Sequence, residues 1–201
     1  MIFKDFNNWQ IKCFNVKIKL VIKSILFFLF FCLLFNASYS NEIGQVTGYK
    51  IPRFVSLKSD DVNLRIGSST NYPIIVKYVT KNIPVEITDE YERWRKIRDM
   101  QGNEGWIHGD LLKGDRFVII IKNNKSIIHM YSKPDGVPIG EIGESNIAKI
   151  KVCLEKWCKI KFESHKGWVN KKNLWGVYEK EEVNIPFYQP IINLIWKFNL
   201  Y

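Results

Sequence analysis

The chain has 201 residues, of which 46% are hydrophobic and 14% aromatic, and its formal net charge at pH 7 is +10. It contains no P-loop, no G-x-G-x-x-G and no H-E-x-x-H, which argues against the nucleotide-binding and zinc-peptidase classes that depend on those motifs. The first 40 residues hold five Lys and one Asp, so the remainder keeps a net charge of +6. In an exported protein this excess favours anionic envelope polymers or membrane surfaces over nucleic acid, although solubility alone is the simpler interpretation.

The N-terminal segment, residues 1–40, has the parts of a secretory signal peptide. A lysine-rich region precedes the uncharged run Ile25–Phe35, and Ser38 and Ser40 place small residues at the −3 and −1 positions. We therefore predict cleavage before Asn41 and export to the periplasm or cell envelope. The apolar run has 11 residues, fewer than the roughly 20 that a spanning helix needs. The length of the basic region leaves open a misassigned Met1 or an uncut anchor.

Residues 53–113 contain five or six short alternating runs separated by polar turns, with almost no helical periodicity. This pattern predicts a small all-β barrel. The clearest hairpin lies between Trp94 and Leu112, where two alternating runs flank a polar, glycine-containing loop. The residues expected to fill the barrel are Val62, Leu64, Ile74, Val85, Ile87, Ile97 and Ile107.

The skeleton of that hairpin recurs further along the chain, at Trp157 to Leu174, with one residue fewer in the connecting turn. Two copies predict a tandem repeat. Side chains alternate across a strand, so the tryptophans and the β-branched residues of each copy face opposite sides. The tryptophans then form an outer aromatic shelf or lie half-buried under a loop or the other repeat. They are Trp94, Trp106, Trp157 and Trp168.

The motifs of residues 53–113 follow the order V-N-L-R-x-G, Y-P, P-V-E-I, W-R-K-I-R-D and G-W-I-x-x-x-x-L. As a set they resemble the bacterial SH3-like domains of exported proteins. The resemblance implies a five- to six-stranded barrel with a long loop after the first strand, and a binding module without catalysis. Such domains are common in cell-envelope proteins, and some bind peptidoglycan or its peptide cross-links.

The resemblance also indicates a candidate ligand groove beside the loop Ile66–Pro73. For Arg65 the alternative is that its side chain braces this loop through hydrogen bonds to carbonyl groups. For His108 the alternative is an exposed polar residue at a strand end, because a single imidazole is poor evidence for a metal or a catalytic base. We predict no metal and no cofactor. The candidate ligand-binding residues are Asn63, Arg65, Tyr72, Trp94, Trp106 and His108.

Residues 116–177 are predicted to form a second, divergent SH3-like barrel. Ile128-His129-Met130-Tyr131 stands where the first copy has Val-Asn-Leu-Arg, and Lys133-Pro134-Asp135-Gly136 predicts a shorter loop. We therefore expect the second copy to lack the same groove. Cys153 and Cys158 bracket a four-residue hairpin loop, which places them opposite each other on the two strands. An exported protein also folds in an oxidising compartment, where disulfides form. We predict a structural disulfide between them.

The tail, residues 178–201, begins with a charged linker. From Pro190 onward, apolar residues recur at helical spacing and predict a short amphipathic helix. The helix would pack on the barrels, lie on a membrane or dock on a partner; we expect packing, because so short a helix needs tertiary support. The apolar positions are Ile191, Leu194, Ile195 and Phe198.

Taken together, these patterns predict an exported, non-catalytic binding protein that recognises a cell-wall polymer or its peptides. The alternative is an envelope protein-interaction adaptor without a wall ligand. An enzyme is not expected, because two barrels occupy nearly all of the mature chain and no Cys–His or paired-carboxylate constellation is present. Nucleic-acid binding, which small barrels also support, is disfavoured by the leader. Membrane contact is expected only through the leader or the tail, and the sequence does not predict an oligomeric state.

Overall fold

The computed structural model describes residues 23–24, 27–28, 42–122 and 127–198. The predicted signal peptide and its cleavage site lie outside these residues, apart from the two short pieces at 23–24 and 27–28, which are helical. Residues 41–201 form a compact unit of their own. Within the described ranges, no helix has both the length and the apolar character needed to cross a bilayer.

The described part of residues 41–201 consists of a small hairpin, two larger antiparallel sheets and one C-terminal helix, so the all-β prediction is confirmed. The hairpin comprises β1 (Glu42–Ile43) and β2 (Lys50–Ile51). The first sheet comprises β3 (Arg53–Leu57), β4 (Val62–Arg65), β5 (Ile74–Tyr78), β6 (Pro84–Tyr91), β7 (Trp94–Arg98), β8 (Glu104–His108) and β9 (Leu112–Lys113). The second comprises β10 (Phe117–Ile120), β11 (Ile128–Tyr131), β12 (Pro138–Ile142), β13 (Ile147–Cys153), β14 (Trp157–Phe162), β15 (His165–Asn170) and β16 (Leu174–Trp175), and the helix is α1 (Gln189–Phe198).

The two sheets have the same topology, strand for strand. Their orders are β5-β4-β8-β7-β6-β3-β9 and β12-β11-β15-β14-β13-β10-β16, and we call them the first and second repeat. Each has seven strands rather than five or six, because a 3-10 turn before β9 and β16 leads the chain into a further short strand. In the part of the chain that the structure describes, the edge strands of each sheet do not pair with each other, so each repeat is an open sheet around its own core.

The core of the first repeat follows the alternation of its strands. Six of the residues predicted to fill it are buried: Val62, Leu64, Val85, Ile87, Ile97 and Ile107. Burial of each such side chain stabilises the fold by roughly 1.5–3 kcal/mol.

Ile74 is the exception, with 48% of its surface exposed, so its predicted place in the core was wrong. A register shift between Leu64 and Arg65 pairs Ile74 with Arg65. Cross-strand partners share a face. Since Arg65 faces outward, Ile74 does too, and Val76 fills the core position opposite Leu64 instead.

The core of the second repeat contains the predicted disulfide. Cys153 and Cys158 are paired directly across β13 and β14, with Cα atoms 4.1 Å apart and a bond between their sulfur atoms. Both are fully buried among the apolar side chains of this repeat. The disulfide therefore closes the β13–β14 hairpin from inside the core.

Aromatic and charged side chains join the two repeats. The buried ring of Phe54 packs on Trp175 and Tyr178, with ring centroids 5.4 and 4.8 Å away. The Tyr178 hydroxyl donates a hydrogen bond to the Glu86 carboxylate at 2.7 Å, and Arg98 donates to the same carboxylate. The contact thus combines apolar burial with a satisfied buried charge.

The segment after the second repeat folds back onto it. Val183 exchanges two backbone hydrogen bonds with Cys153, and the buried ammonium of Lys171 donates to the carbonyl oxygens of Glu179 and Glu181. Burial lowers the pKa of Lys171 below its ordinary value. These bonds hold the linker against the second repeat and lead the chain into α1.

Helix α1 packs on the second repeat, as expected, but through a different side from the predicted one. The Trp196 ring meets Trp168 edge to face, with centroids 5.6 Å apart, and Gln189 is buried. Three positions of the predicted apolar stripe face solvent, with Ile191, Leu194 and Ile195 about half exposed or more, and the side chain of Phe198 lies outside the described part of the chain. The packed side is chosen by the aromatic pair rather than by the aliphatic stripe.

Candidate ligand-binding face of the first repeat

The candidate face lies on the outer side of β4, β7 and β8. Arg65 is paired with Trp106, Trp106 with Lys96, and Trp94 with His108. Paired residues project from the same side of a sheet, and the intervening Leu64, Ile97 and Ile107 point into the core. We call the set Arg65, Trp94, Lys96, Trp106 and His108 the outer face of the first repeat.

Trp94 and His108 form an aromatic pair on this face. Their rings meet nearly perpendicular, at 87° and 5.4 Å between centroids. His108 Nδ1 also lies 3.6 Å from a carboxylate oxygen of Asp110, a neighbour that the sequence interpretation overlooked. That distance is too long for a hydrogen bond, and the Asp110 side chain is 87% exposed, so the contact is a weak electrostatic one.

Arg65 braces the loop that follows it. Its guanidinium donates a 2.6 Å hydrogen bond to the carbonyl oxygen of Tyr72, which is the bracing contact given above as the alternative to a ligand role. Tyr72 is about half exposed and folds back over Gly67, where a Cβ would lie 2.5 Å from its ring. The loop therefore needs glycine at this position and holds Tyr72 at the border of the outer face.

Asn63 lies two residues before Arg65 on the same strand and the same side of the sheet. Its side-chain oxygen is buried and accepts no hydrogen bond from the described residues. A buried acceptor without a donor costs about 1–3 kcal/mol. A ligand N–H or O–H that reached this atom would remove that cost.

Lys96 is the residue of this face that the sequence interpretation missed. It stands between Asp89 and Trp106 in the register, and its ammonium lies 3.4 Å from Glu104. The signal was present in the alternation, since Lys96 is two residues from Trp94 and must share its side. Lys96 adds a cation next to the indole of Trp106.

The corresponding face of the second repeat is arranged differently. Tyr131 replaces Arg65 and meets Trp157 edge to face at 5.2 Å, while Trp168, the counterpart of Trp106, is buried beneath Trp196. The outer aromatic shelf predicted to include Trp168 is therefore covered by α1. A cleft of about 610 Å³ remains between α1 and the Lys133-Pro134-Asp135 loop.

The first repeat also has a cleft, of about 620 Å³, which lies beside the β1–β2 hairpin. Thr47 and Arg53 line this cleft. The Glu90 carboxylate accepts hydrogen bonds from the backbone and hydroxyl of Thr47 and from Arg53, at 2.7–3.0 Å. Burial raises the pKa of Glu90, but these hydrogen bonds outweigh it and hold the pKa below its ordinary value. The arrangement anchors the hairpin.

Residues 58–114 and 141–176 match the family model described as Bacterial SH3 domain. No curated protein matches the chain. Among solved structures, NlpC1 from Trichomonas vaginalis is similar at 14% identity and a TM-score of 0.27, over 66% of this chain and 48% of that one. NlpC2 from the same organism is similar at 12% identity and a TM-score of 0.29, over 74% of this chain and 57% of that one.

An NlpC/P60 family protein from Bacillus cereus ATCC 10987 is similar at 10% identity and a TM-score of 0.29, over 70% of this chain and 61% of that one. The chain thus spans less than two thirds of the length of each of these three structures. The family match falls on both sheets, in segments that include the Trp94 hairpin and its counterpart at Trp157. Residues 58–114 and 141–176 therefore belong to the bacterial SH3 domain family, and the shared strand order is consistent with two copies of the domain in tandem.

Proposed function

We propose that this chain is an exported, non-catalytic binding protein whose first repeat recognises a cell-envelope ligand, peptidoglycan or its peptides. The observation that carries the proposal is the outer face of the first repeat. There two indoles, an imidazole and two cations lie on three neighbouring strands, and no helix among the described residues packs on them. Aromatic faces suit the apolar sides of sugar rings and peptides, and cations suit their carboxylates.

The two repeats differ in a way that favours the first as the binding unit. Both have the same strand order, but the second covers the equivalent position with Trp196. The buried, unpartnered oxygen of Asn63 and the braced loop at Tyr72 adjoin the face only in the first repeat. Because the loop beside this face is already ordered, binding does not lose the conformational entropy that ordering the loop would cost.

The test is co-sedimentation of residues 41–201 with purified peptidoglycan sacculi over a salt series. We expect the wild type to sediment, and Trp94→Ala and Trp106→Ala to bind about 30-fold more weakly, because a central interface tryptophan contributes roughly 2 kcal/mol or more. Trp157→Ala, at the position equivalent to Trp94 in the second repeat, is the matched control and should sediment as the wild type does.

Other outcomes would reject the proposal. Sedimentation that disappears with modest salt yet ignores both substitutions would mean charge attraction alone. No sedimentation under any condition would move the adaptor to first place. One observation favours that second candidate: β5 is an edge strand with Ile74 and Ile75 exposed, a form of edge on which an extended segment of another protein can pair.

A further inference from the structure

The second repeat is much more basic than the first. Residues 116–177 contain 12 Lys and Arg against 5 Asp and Glu, whereas residues 53–113 contain 10 against 9. The second repeat therefore has a net charge of +7 and the first a net charge of +1, so the net positive charge outside the leader resides in the repeat whose aromatic face is covered. The distribution of these lysines over the sheet decides whether they act together.

Three lysines stand opposite one another across adjacent strands of the second repeat. Lys149 on β13 pairs with Lys161 on β14, and Lys161 pairs with Lys166 on β15. Like charges directly opposite in a sheet destabilise it. Lys149 is bonded to Asp115 at 3.0 Å, but Lys161 and Lys166 are exposed and form no ion pair within the described residues. Repulsion among these lysines destabilises the folded sheet, and a bound external anion would reduce it.

Helix α1 lies on the same side of the same sheet. Trp168, on which Trp196 packs, is paired with Lys159. Lys161 lies two residues after Lys159 and Lys166 two residues before Trp168, so both project from the same side of the sheet. Because α1 packs through Trp196, its opposite side points away from the sheet, in the direction of the lysine side chains. That side carries Ile191, Leu194 and Ile195, 63%, 55% and 49% exposed.

Phe187, just before the helix, adds an aromatic side chain that is 94% exposed. Exposed aliphatic and aromatic side chains on one helix and the segment before it, beside lysines with no ion pair among the described residues, form the pattern of an interfacial helix on an anionic bilayer. A soluble polyanion would satisfy the lysines but would leave these apolar side chains in water. A bilayer with acidic headgroups satisfies both at once.

We propose that this face of the second repeat, Lys159, Lys161 and Lys166 together with the ridge Phe187, Ile191, Leu194 and Ile195, docks on an anionic lipid surface. The lysines contact acidic headgroups, and the ridge enters the boundary between headgroups and acyl chains. This function is distinct from the proposed binding by the outer face of the first repeat, which uses other residues on the other sheet. The docked protein would present the first repeat next to a membrane.

The test is flotation of residues 41–201 with vesicles of phosphatidylcholine and phosphatidylglycerol, and with vesicles of phosphatidylcholine alone. Both cores lie wholly between Ile51 and Val183, so this unit contains everything its fold needs. We expect binding to the anionic vesicles only. Lys161→Gln with Lys166→Gln should weaken partitioning about 25-fold, since each lysine near an anionic surface contributes about a factor of five.

The double substitution Ile191→Gln with Leu194→Gln should weaken partitioning to the anionic vesicles by about tenfold or more, because the inserted apolar surface is lost. Both positions are exposed, so the far-UV circular dichroism spectrum should match the wild type. The matched controls lie on the first repeat and the hairpin: Lys58→Gln with Lys81→Gln removes the same charge, and Val79→Gln with Ile43→Gln removes exposed apolar surface. Both controls should bind as the wild type does.

Three results would overturn the proposal. They are absence of binding to the anionic vesicles, equal binding to both kinds of vesicle, and loss of binding in the lysine variant while the Ile191 and Leu194 variant still binds fully. The last would identify charge attraction without insertion. None of these outcomes bears on the sacculus experiment, which depends on Trp94 and Trp106.

Discussion

At the scale of single residues, Glu90 is a buried carboxylate that ties the N-terminal hairpin to the first repeat. Its oxygens accept from the backbone of Val46 and Thr47 and from Arg53. Gly44 lies so close that a Cβ there would come within 2.5 Å of the carboxylate. A charged group in this setting is stable only while all of its donors are in place.

We expect Glu90→Gln to lower the free energy of unfolding by about 2 kcal/mol, because an amide cannot satisfy the same donors and leaves Arg53 without its countercharge. Urea unfolding of residues 41–201 measures the change. Glu92→Gln is the control, since Glu92 is exposed. An equal effect of the two substitutions would mean that the hydrogen bonds of Glu90 do not anchor the hairpin.

The same residue predicts a pH dependence. The pKa of Glu90 lies below its ordinary value of 4.5 in the folded state, so its ionised form is favoured by folding. This stabilisation is present above the unfolded pKa and is lost as the pH falls through the folded pKa. The difference in unfolding free energy between the wild type and Glu90→Gln should therefore shrink as the pH is lowered from about 7 to about 3. A difference independent of pH would contradict this assignment.

At the scale of elements, the β13–β14 hairpin is closed by the Cys153–Cys158 disulfide. Its loop is short, so the chain-entropy model gives about 2 kcal/mol of stabilisation. We expect the Cys153→Ala, Cys158→Ala double variant to lose that amount in urea unfolding. The wild type treated with reductant should lose a similar amount, and reductant should leave the double variant unchanged. A reduced wild type as stable as the oxidised form would show that the hairpin does not need the bond.

At the scale of the whole molecule, the two repeats are coupled through Phe54, Trp175 and Tyr178. Removing a large buried ring costs about 3–5 kcal/mol, and here the loss falls on the contact between two cores. We expect Phe54→Ala to separate the thermal unfolding of residues 41–201 into two transitions in calorimetry. Phe187→Ala deletes an equally large but exposed ring and should leave a single transition. Two transitions in the wild type would show that the repeats are already independent.

The core of the first repeat, the repeat itself and the disulfide could be predicted because their signals are local or repeated. Val62 and Leu64, or Ile97 and Ile107, face inward because side chains alternate along each strand. The cysteines meet because they flank one hairpin. Alternation also places Trp94, Trp106 and His108 together, on the side of their strands opposite the buried residues.

What alternation missed has a common physical cause, which is that the deciding contact lies outside the strand itself. The exposure of Ile74 follows from its register with Arg65 across a bulge. Glu90 meets Thr47 and Arg53, which precede it by 43 and 37 residues. Trp168 is buried because Trp196, on a separate element, packs on it. Alternation reports which residues share a side of a strand, but not what covers that side.

The amino-acid sequence by itself thus determined the all-β class, the two copies, the inward-facing residues and the cysteine pair, since each depends on neighbours along the chain or on an internal repeat. Only the tertiary structure decided which aromatic face stays open and which is covered, and which side of α1 packs. Those outcomes depend on the match between surfaces brought together by the fold. For this reason the two repeats share a topology and present different faces.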